Sequence, residues 1–471
     1  MNPRNTSRVL PACRPCSQLI TALIAIHYLT SGGSLAAHDG HGKPAVAKVK
    51  RAEMYAPTAM PDRVVLTLSG DPRTTQAVTW RTSTEVKTGI AEIAIAEAGP
   101  QFPTKAKTLV ARSEDLTTDL NRARCHSVTF QDLEPGTTYA YRVGDGTNWS
   151  EWFQFRSAAK SDEPFSFVYF GDAQNDVRSM WSRVIREAFR DAPKAAFFLH
   201  AGDLVNRAES DAEWGEWFGA GHWLNAMIPV LAVPGNHEQA RNMLGIPRLS
   251  KHWRAIFTFA ENGPPGLEET CYTLTYHNLR IIALDSNRMQ QQQAEWMDQV
   301  LAANTHEWVI CTFHHPIFST GRARDNPMLR KMWKPILDKH RVDLVLQGHD
   351  HTYGRTGFDV PDNPPTASTV ETNVPGGIQR ANTDRGTIYV VSVSGPKMYS
   401  NTRYPFMKRV AEDTQLYQVI HINGDRLRFE ARTAIGELYD SFELTKRAGE
   451  KNQLTEIDPE VPQNLRPLEA K

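Results

Sequence analysis

Five short segments of the chain carry oxygen and nitrogen donors directly after apolar runs. They are "GDAQ" (Gly171 to Gln174), "GDLVN" (Gly202 to Asn206), "GNHE" (Gly235 to Glu238), "HH" (His314 and His315) and "GHDH" (Gly348 to His351). One Gly-Asp after an apolar run is commonly just a turn. Five such segments in succession supply Asp172, Asp203, Asn236 with His237, His314 with His315, and His349 with His351. Carboxylates, a carboxamide oxygen and imidazoles in that mixture suit manganese, iron, zinc or a similar ion, and are too rich in nitrogen for calcium. The glycines let the chain turn sharply beside the donors.

For these donors to meet, the runs before them must be neighbouring strands. "FSFVYF", "AAFFLH", "IPVLAV", "RIIALD", "WVICTF" and "VDLVL" read as buried strands. Between them, the stretch from about Asp176 to Arg190 places Val177, Met180, Trp181, Val184, Ile185 and Ala188 at helical spacing. "QQQAEWMDQVLAAN" and "PMLRKMWKPILDKH" read as further amphipathic helices. Continuous apolar strands with helical crossovers imply a sheet covered on both faces, with its site at the carboxyl ends of the strands. "GTIYVVSVSG", "LYQVIHI" and "LRFEARTA" continue the strand series, with Asn423 to Asp425 as a hairpin turn. The Pro-, Gly- and Asn-rich stretch from Val360 to Asp384 reads as a surface excursion, and the charged stretch over 447–471 as a flexible, frayed tail.

Ahead of this domain, over 58–158, the grammar is different. "RVVLTL", "QAVTWRT", "HSVTF", "TYAYRV" and "WFQFR" are short alternating runs separated by turn residues, the pattern of an antiparallel sandwich. Trp80 reads as core, Tyr139 in "LEPGTTYAYRV" resembles the tyrosine corner of fibronectin type III modules, and no polar cluster marks this domain for chemistry.

Composition excludes several classes. Of 471 residues 40% are hydrophobic and 23% charged, which is globular material, and Lys plus Arg equals Asp plus Glu at 53 each, so no global charge points to nucleic acid or an anionic membrane. Arg4, Arg8 and Arg14 precede an apolar stretch from Leu19 to about Leu29, and "SLAA" offers cleavage after Ala36 or Ala37. Residues 1–37 therefore read as a secretory signal, with an uncleaved anchor as the alternative, although the stretch falls short of the roughly 20 residues a span needs. The mature chain would be secreted or periplasmic, with no membrane span. Cys13 and Cys16 would leave with the signal; Cys125, Cys271 and Cys311 permit one bridge at most, of unassigned pairing. His38 and His41 in "HDGHG" read as a solvated terminus rather than a metal site.

The five segments, in order, match the pattern GD-x-G, GD-x-x-Y, GNH-[DE], V-x-x-H, GH-x-H and so resemble the calcineurin-like metallophosphoesterases, specifically the purple acid phosphatase branch with its fibronectin-like N-terminal domain. The resemblance runs from about Asp62 to Tyr353 and implies a four-layer α/β (α+β sandwich) catalytic domain over 163–446. It further implies two metal ions, iron with manganese or zinc, bridged by Asp203. One ion would take Asp172, Asp203 and His351, the other Asp203, Asn236, His314 and His349. Two such cations bind phosphate oxygens, lower the pKa of a coordinated water and supply hydroxide for in-line attack. His237 matches the family's histidine near the leaving group and is the candidate general acid. His315 would contact substrate or support its neighbour, and Arg322 and Arg324 in "STGRARDN" would hold phosphate or lie in a solvated loop.

Two positions depart from the pattern. Asn206 stands where the branch has a metal-bound tyrosine, and Gln174 where related phosphoesterases often carry histidine. Each is a candidate neutral oxygen ligand or a supporting neighbour of the ions. Without phenolate, the purple charge-transfer colour should be absent. The leading reading is an exported binuclear-metal phosphatase acting on small phosphomonoesters. A phosphodiesterase or nucleotide pyrophosphatase on the same core is the alternative, and a non-catalytic adhesion protein a remote one. Oligomeric state is not readable from these residues.

Overall fold

The strands that follow the N-terminal domain form not one sheet but two, packed face to face. The computed structural model describes residues 48–241, 244–321, 324–362, 364 and 386–467, and Val49 onward forms one unit. The signal stretch, His38 and His41, Arg322 and most of the 360–384 excursion lie outside the described residues. In the first sheet, Phe165–Phe170, Phe198–His200 and Val230–Ala232 run parallel, and Leu416–Asn423, Arg426–Thr433 and Leu438–Thr445 extend it antiparallel. In the second, Leu279–Ala283, Trp308–Thr312, Leu344–Gln347 and Ile388–Val391 are parallel, flanked by Tyr272–Tyr276, Tyr353–Thr356 and Met407–Ala411.

Alternation along the second sheet shows the layering. Ile281, Ile310, Leu344, Ile388 and Val390 share the central core with Phe167, Tyr169 and Leu199 of the first sheet. Their neighbours Ile282, Val309, Cys311, Val345 and Tyr389 face the other way, against Met297, Leu301, Trp333 and Leu337 of the helices Gln290–Ala302 and Pro327–Lys339. Helices Ser182–Asp191 and Asp211–Gly221 cover the first sheet, giving four layers. Each strand has period-two alternation between two apolar faces, which reads in sequence as an unbroken apolar run.

Three expectations are corrected. Met180 is exposed rather than on the buried helical face, because Val177–Trp181 is a π turn and its wider winding shifts the phase before the α-helix begins. The segment from Arg447 is not frayed as far as it is described: Gln453–Ile457 pairs antiparallel with Leu438–Thr445, and Asn452 Nδ2 donates to buried Asp343 at 2.6 Å. Third, the N-terminal domain is not free of polar clusters. Its two antiparallel sheets enclose Trp80, Phe130, Tyr141 and Phe155, and the Tyr139 hydroxyl accepts from Glu134 N at 2.7 Å. One of the sheets, however, continues the catalytic sheet, with Asp62–Thr67 parallel to Val230–Ala232. Cys125, Cys271 and Cys311 are buried and free.

The polar cluster lies at that junction. Arg63 and Arg81, on the first two strands of the N-terminal domain, reach Asp211 at the start of the helix Asp211–Gly221, at 2.6 and 3.3 Å, and His252 Nε2 lies 3.4 Å from the same carboxylate. All four side chains are at least 95% buried. Removing one partner of a buried ion pair leaves the other charge uncompensated, so Asp211→Ala should cost about 3–5 kcal/mol of stability. The shift of the denaturant midpoint measures it, and a change under about 1 kcal/mol would show that this junction does not hold the domains together.

Candidate metal centre

The carboxyl ends of both sheets deliver the donors to one place. Asp172 and Asp203 follow the first two parallel strands of the first sheet, and Asn236 follows the third. His314 and the His349–His351 pair follow Trp308–Thr312 and Leu344–Gln347 of the second sheet. Two groups result, Asp172 with Asp203 and His351, and His314 with His315 and His349, the potential ligand atoms of each lying within 4.8 Å of one another. Asn236 Oδ1 joins the second group, 3.1 Å from His314 Nε2 and 2.8 Å from His349 Nδ1. Asp203 Oδ2 connects the groups, 3.2 Å from His314 Nε2.

Backbone geometry at this meeting point is unusual. Asp172, Asp203, His349 and His351 all have positive φ, between 32° and 76°. Non-glycine residues seldom adopt this region, and clusters of them persist where surrounding structure over-determines the chain. Gly202 turns at φ 87°, whereas Gly235 and Gly348 act through space. A Cβ on Gly235 would lie 2.1 Å from Asp203 Oδ1, and one on Gly348 would lie 2.5 Å from Asp172 Oδ2.

Main-chain acceptors fix the imidazoles. Nδ1 of His314 is 2.9 Å from the Ala201 carbonyl and Nδ1 of His351 is 3.0 Å from that of Lys397, so in both rings Nδ1–H donates outward and Nε2 faces inward. Gln174 lies between the groups' carboxylate and imidazole: Nε2 donates to Asp203 Oδ2 at 2.8 Å and sits 3.1 Å from His351 Nε2. His237 is at the rim, its N–H donating to Asp203 Oδ1 at 2.9 Å and its Nδ1 held 2.6 Å from the Asn206 carbonyl. Asn206 thus takes part through its backbone, with its own N–H donating to Glu213. His315 Nδ1 pairs with Ser286 Oγ at 2.8 Å while its ring lies 4.5 Å from that of His349. Arg324 is committed to structure, donating to the His349 carbonyl at 2.8 Å and pairing with Asp350 at 3.3 Å.

Electrostatics indicate what the cluster needs. Burial pushes the Asp172 carboxyl well above its ordinary range, with Asp203 beside it adding to the rise. For Asp203, burial acts the same way but is outweighed by the His314 imidazole, which leaves the carboxyl well below that range; His314 in turn is held up at about 9 by Asp203 against the effect of burial. Burial pushes His315 down to about 3, with the His314 charge adding to it, and His351 down to about 4, with Lys397 adding to it. Asp172 Oδ1 and Gln174 Oε1 are buried without a hydrogen-bond partner. Two adjacent buried carboxylates, inward imidazole Nε2 atoms and orphaned oxygens fit divalent or trivalent cations, which would take the place of the His314 proton and satisfy the oxygens.

Two carboxylates that the sequence reading passed over hold this arrangement. Glu238, fully buried, accepts from the N–H groups of Asp203, Leu204 and Gly235 at 2.8 Å and of Val205 at 3.3 Å, clamping two strand-end turns together. Burial, and the Asp203 charge beside it, push Glu238 up to about 7 against the pull of those amides. Asp350 does the same for residues 319–321, accepting from Ser319 Oγ and from the N–H groups of Thr320 and Gly321 at 2.7–3.0 Å. Their position inside "GNHE" and "GHDH" was the available signal.

Residues 61–157 match the family model described as purple acid phosphatase, N-terminal domain, and residues 165–353 that of the calcineurin-like phosphoesterases. "Acid phosphatase type 7" of Mus musculus is 26% identical over 337 residues, covering 65% of this chain and 73% of its own. "Probable inactive purple acid phosphatase 1" of Arabidopsis thaliana is 22% identical over 375 residues, covering 68% and 57%. A purple acid phosphatase from yellow lupin (Lupinus luteus) seeds shares the fold, with a TM-score of 0.67 at 17% identity over 83% of this chain and 75% of its own.

Glu238→Gln tests the clamp. Either orientation of the amide turns its NH2 toward main-chain N–H groups that need an acceptor, so metal affinity should fall by about 10–100-fold while the fold is retained. Chelator competition followed by metal analysis measures it; unchanged retention would mean that the clamp does not orient the donors.

Proposed function

Because the chain belongs to the calcineurin-like phosphoesterases and carries the N-terminal domain of the purple acid phosphatases, we propose that it is an exported, binuclear-metal phosphatase that hydrolyses small phosphomonoesters. The observation that carries this reading is the completeness of the donor set around Asp203, together with the partnerless buried oxygens of Asp172 and Gln174. A relative described as inactive makes that completeness the deciding point. The likeness to an acid phosphatase supports the monoester preference. Export rests on the arginine-led apolar stretch before Ala37. Among the described residues, no helix is long and apolar enough to cross a membrane.

Asp172, Asp203, Gln174 and His351 would hold one ion, and Asp203, Asn236, His314 and His349 the other. The first set is rich in oxygen and suits a harder ion such as iron, whereas the second, rich in imidazole, suits zinc or manganese. When bound, two such ions supply Lewis acidity and an acidified water. Asp203, common to both sets, would hold the two ions in register. His237, its Nδ1–H anchored on the Asn206 carbonyl, would donate from Nε2 the proton that the leaving oxygen takes up. His315, fixed by Ser286 beside His349, borders the same opening and positions the substrate's phosphoryl oxygens. Since Asn206 offers no phenolate, the iron-loaded protein should lack the visible band of purple relatives.

Metal analysis of the purified protein, beside rates on a chromogenic phosphomonoester and its diester analogue, tests the proposal. Bound metal and a monoester preference are expected; no metal and no turnover would overturn it. Asp203→Asn should lower kcat more than any other single ligand change, because one residue bridges two like-charged ions, and near-normal activity would reject the bridge. His237→Ala should slow alkyl phosphates more than activated aryl phosphates, by about 10²–10⁴-fold on the former. Equal losses on both substrates would remove His237 from the acid role.

A further inference from the structure

At the opposite, amino end of the catalytic strands lies a cleft of about 470 Å³ whose other wall is the N-terminal domain. His277 stands in the turn between Tyr272–Tyr276 and Leu279–Ala283, Arg280 on the second of these strands, and His306 just before Trp308–Thr312. Arg73 and Lys160 face them across the cleft. The volume falls within the range of small-molecule sites.

The charges in this cleft do not cancel. Asp71 is bound bidentately by Arg73 at 2.7–3.1 Å and has nothing to spare, while Asp162, two-thirds exposed, only approaches His277 at 3.8 Å. Arg280 has no carboxylate partner among the described residues: Nη1 makes one long contact to Thr273 Oγ1 at 3.4 Å, and Nε is buried without an acceptor. Burial alone lowers its pKa, with no acid acting the other way. His306 Nε2 lies 3.3 Å from Thr275 Oγ1, and burial lowers its pKa too, so at neutral pH it serves as an uncharged donor. A guanidinium short of acceptors is costly to bury and is the commonest means of recognising a multi-oxygen anion. Donors lining both walls suit a tetrahedral anion better than a planar carboxylate. Buried Leu274 and Ala260 add an apolar border beside them.

We propose that this cleft between the domains is a second anion site, distinct from the metal centre, that takes a phosphate dianion, free or as the head of a small phosphorylated molecule, on Arg280, His306 and Lys160.

Equilibrium dialysis of metal-loaded protein against inorganic phosphate, and separately against phenylphosphonate, tests it. Wild type should bind one more anion per chain than Arg280→Gln, whatever the metal centre itself contributes, and Arg280→Lys should restore part of the difference. Turnover of a chromogenic phosphomonoester should be the same in all three. A difference with both probes assigns the site to phosphate itself, and a difference with phenylphosphonate alone assigns it to organic phosphates. If Arg280→Gln destabilises the fold, His306→Gln takes its place and should lose the same anion. Equal stoichiometry in wild type and in a folded variant would overturn the proposal.

Discussion

Two carboxylates buried side by side, Asp172 and Asp203, are the constraint on which the rest of this structure depends. Taking both out of water beside each other is unfavourable unless one is neutralised or a cation lies between them. The His314 imidazole offsets part of the cost for Asp203, but Asp172 is left with an orphaned oxygen. The site is therefore electrostatically incomplete by construction. Its incompleteness has the sign, the donor types and the geometry that metal ions relieve.

Holding that arrangement requires turns the chain would not adopt alone. Four donor residues sit at positive φ, each at a cost of roughly 1–3 kcal/mol, lower for Asp and His than for branched residues. Glu238 and Asp350 offset this by accepting several main-chain N–H groups apiece, which no alternative turn would satisfy as well. The two sheets supply the remainder. Tyr169 of the first donates its hydroxyl to the Gln347 carbonyl of the second, one residue before the "GHDH" turn, so the halves of the centre are tied across the core.

The donors themselves were legible because strand ends are marked by an abrupt change from apolar runs to Gly-Asp, Gly-Asn-His and Gly-His, and the strands because they are short, continuous apolar runs; that these divide into two sheets was implied by the family resemblance alone, since a run buried on both faces does not say which strands it pairs with. What escaped were interactions without periodicity. Glu238 acts on backbone amides alone and Asp350 largely so, and such bonds leave no periodic or paired signal in the sequence. Arg63, Arg81 and Asp211 lie far apart in sequence, and only the folded junction shows that they share one buried cluster. Gln453–Ile457 sits in a charged, Pro-containing stretch whose strand character comes from an available sheet edge rather than from its own composition. Met180 was misplaced because a π turn breaks the period that the reading assumed. The glycines were rightly singled out, but for two reasons rather than one: Gly202 turns at φ 87° as expected, whereas at Gly235 and Gly348 it is the closeness of a carboxylate, not freedom to turn, that excludes a side chain.

The N-terminal domain contributes to the centre without touching it. Val230–Ala232, the strand that leads into "GNHE", has Phe198–His200 on one side, and its other side would be an open edge if the first sheet ended there. Asp62–Thr67 occupies that side through the Thr67–Val230 pairing, Leu66 N donates to the Asn225 carbonyl at 2.8 Å, and the Tyr141 hydroxyl donates to that of Ala226 at 2.6 Å. The segment before the strand is thereby fixed by the sandwich, and the segment after it by Glu238. Asn236 and His237 lie beyond a strand pinned from both ends, which is what a donor needs if it is to hold its position to a fraction of an ångström. A domain with no ligand of its own thus sets the register of one of the two residues that the second ion would share with the histidines.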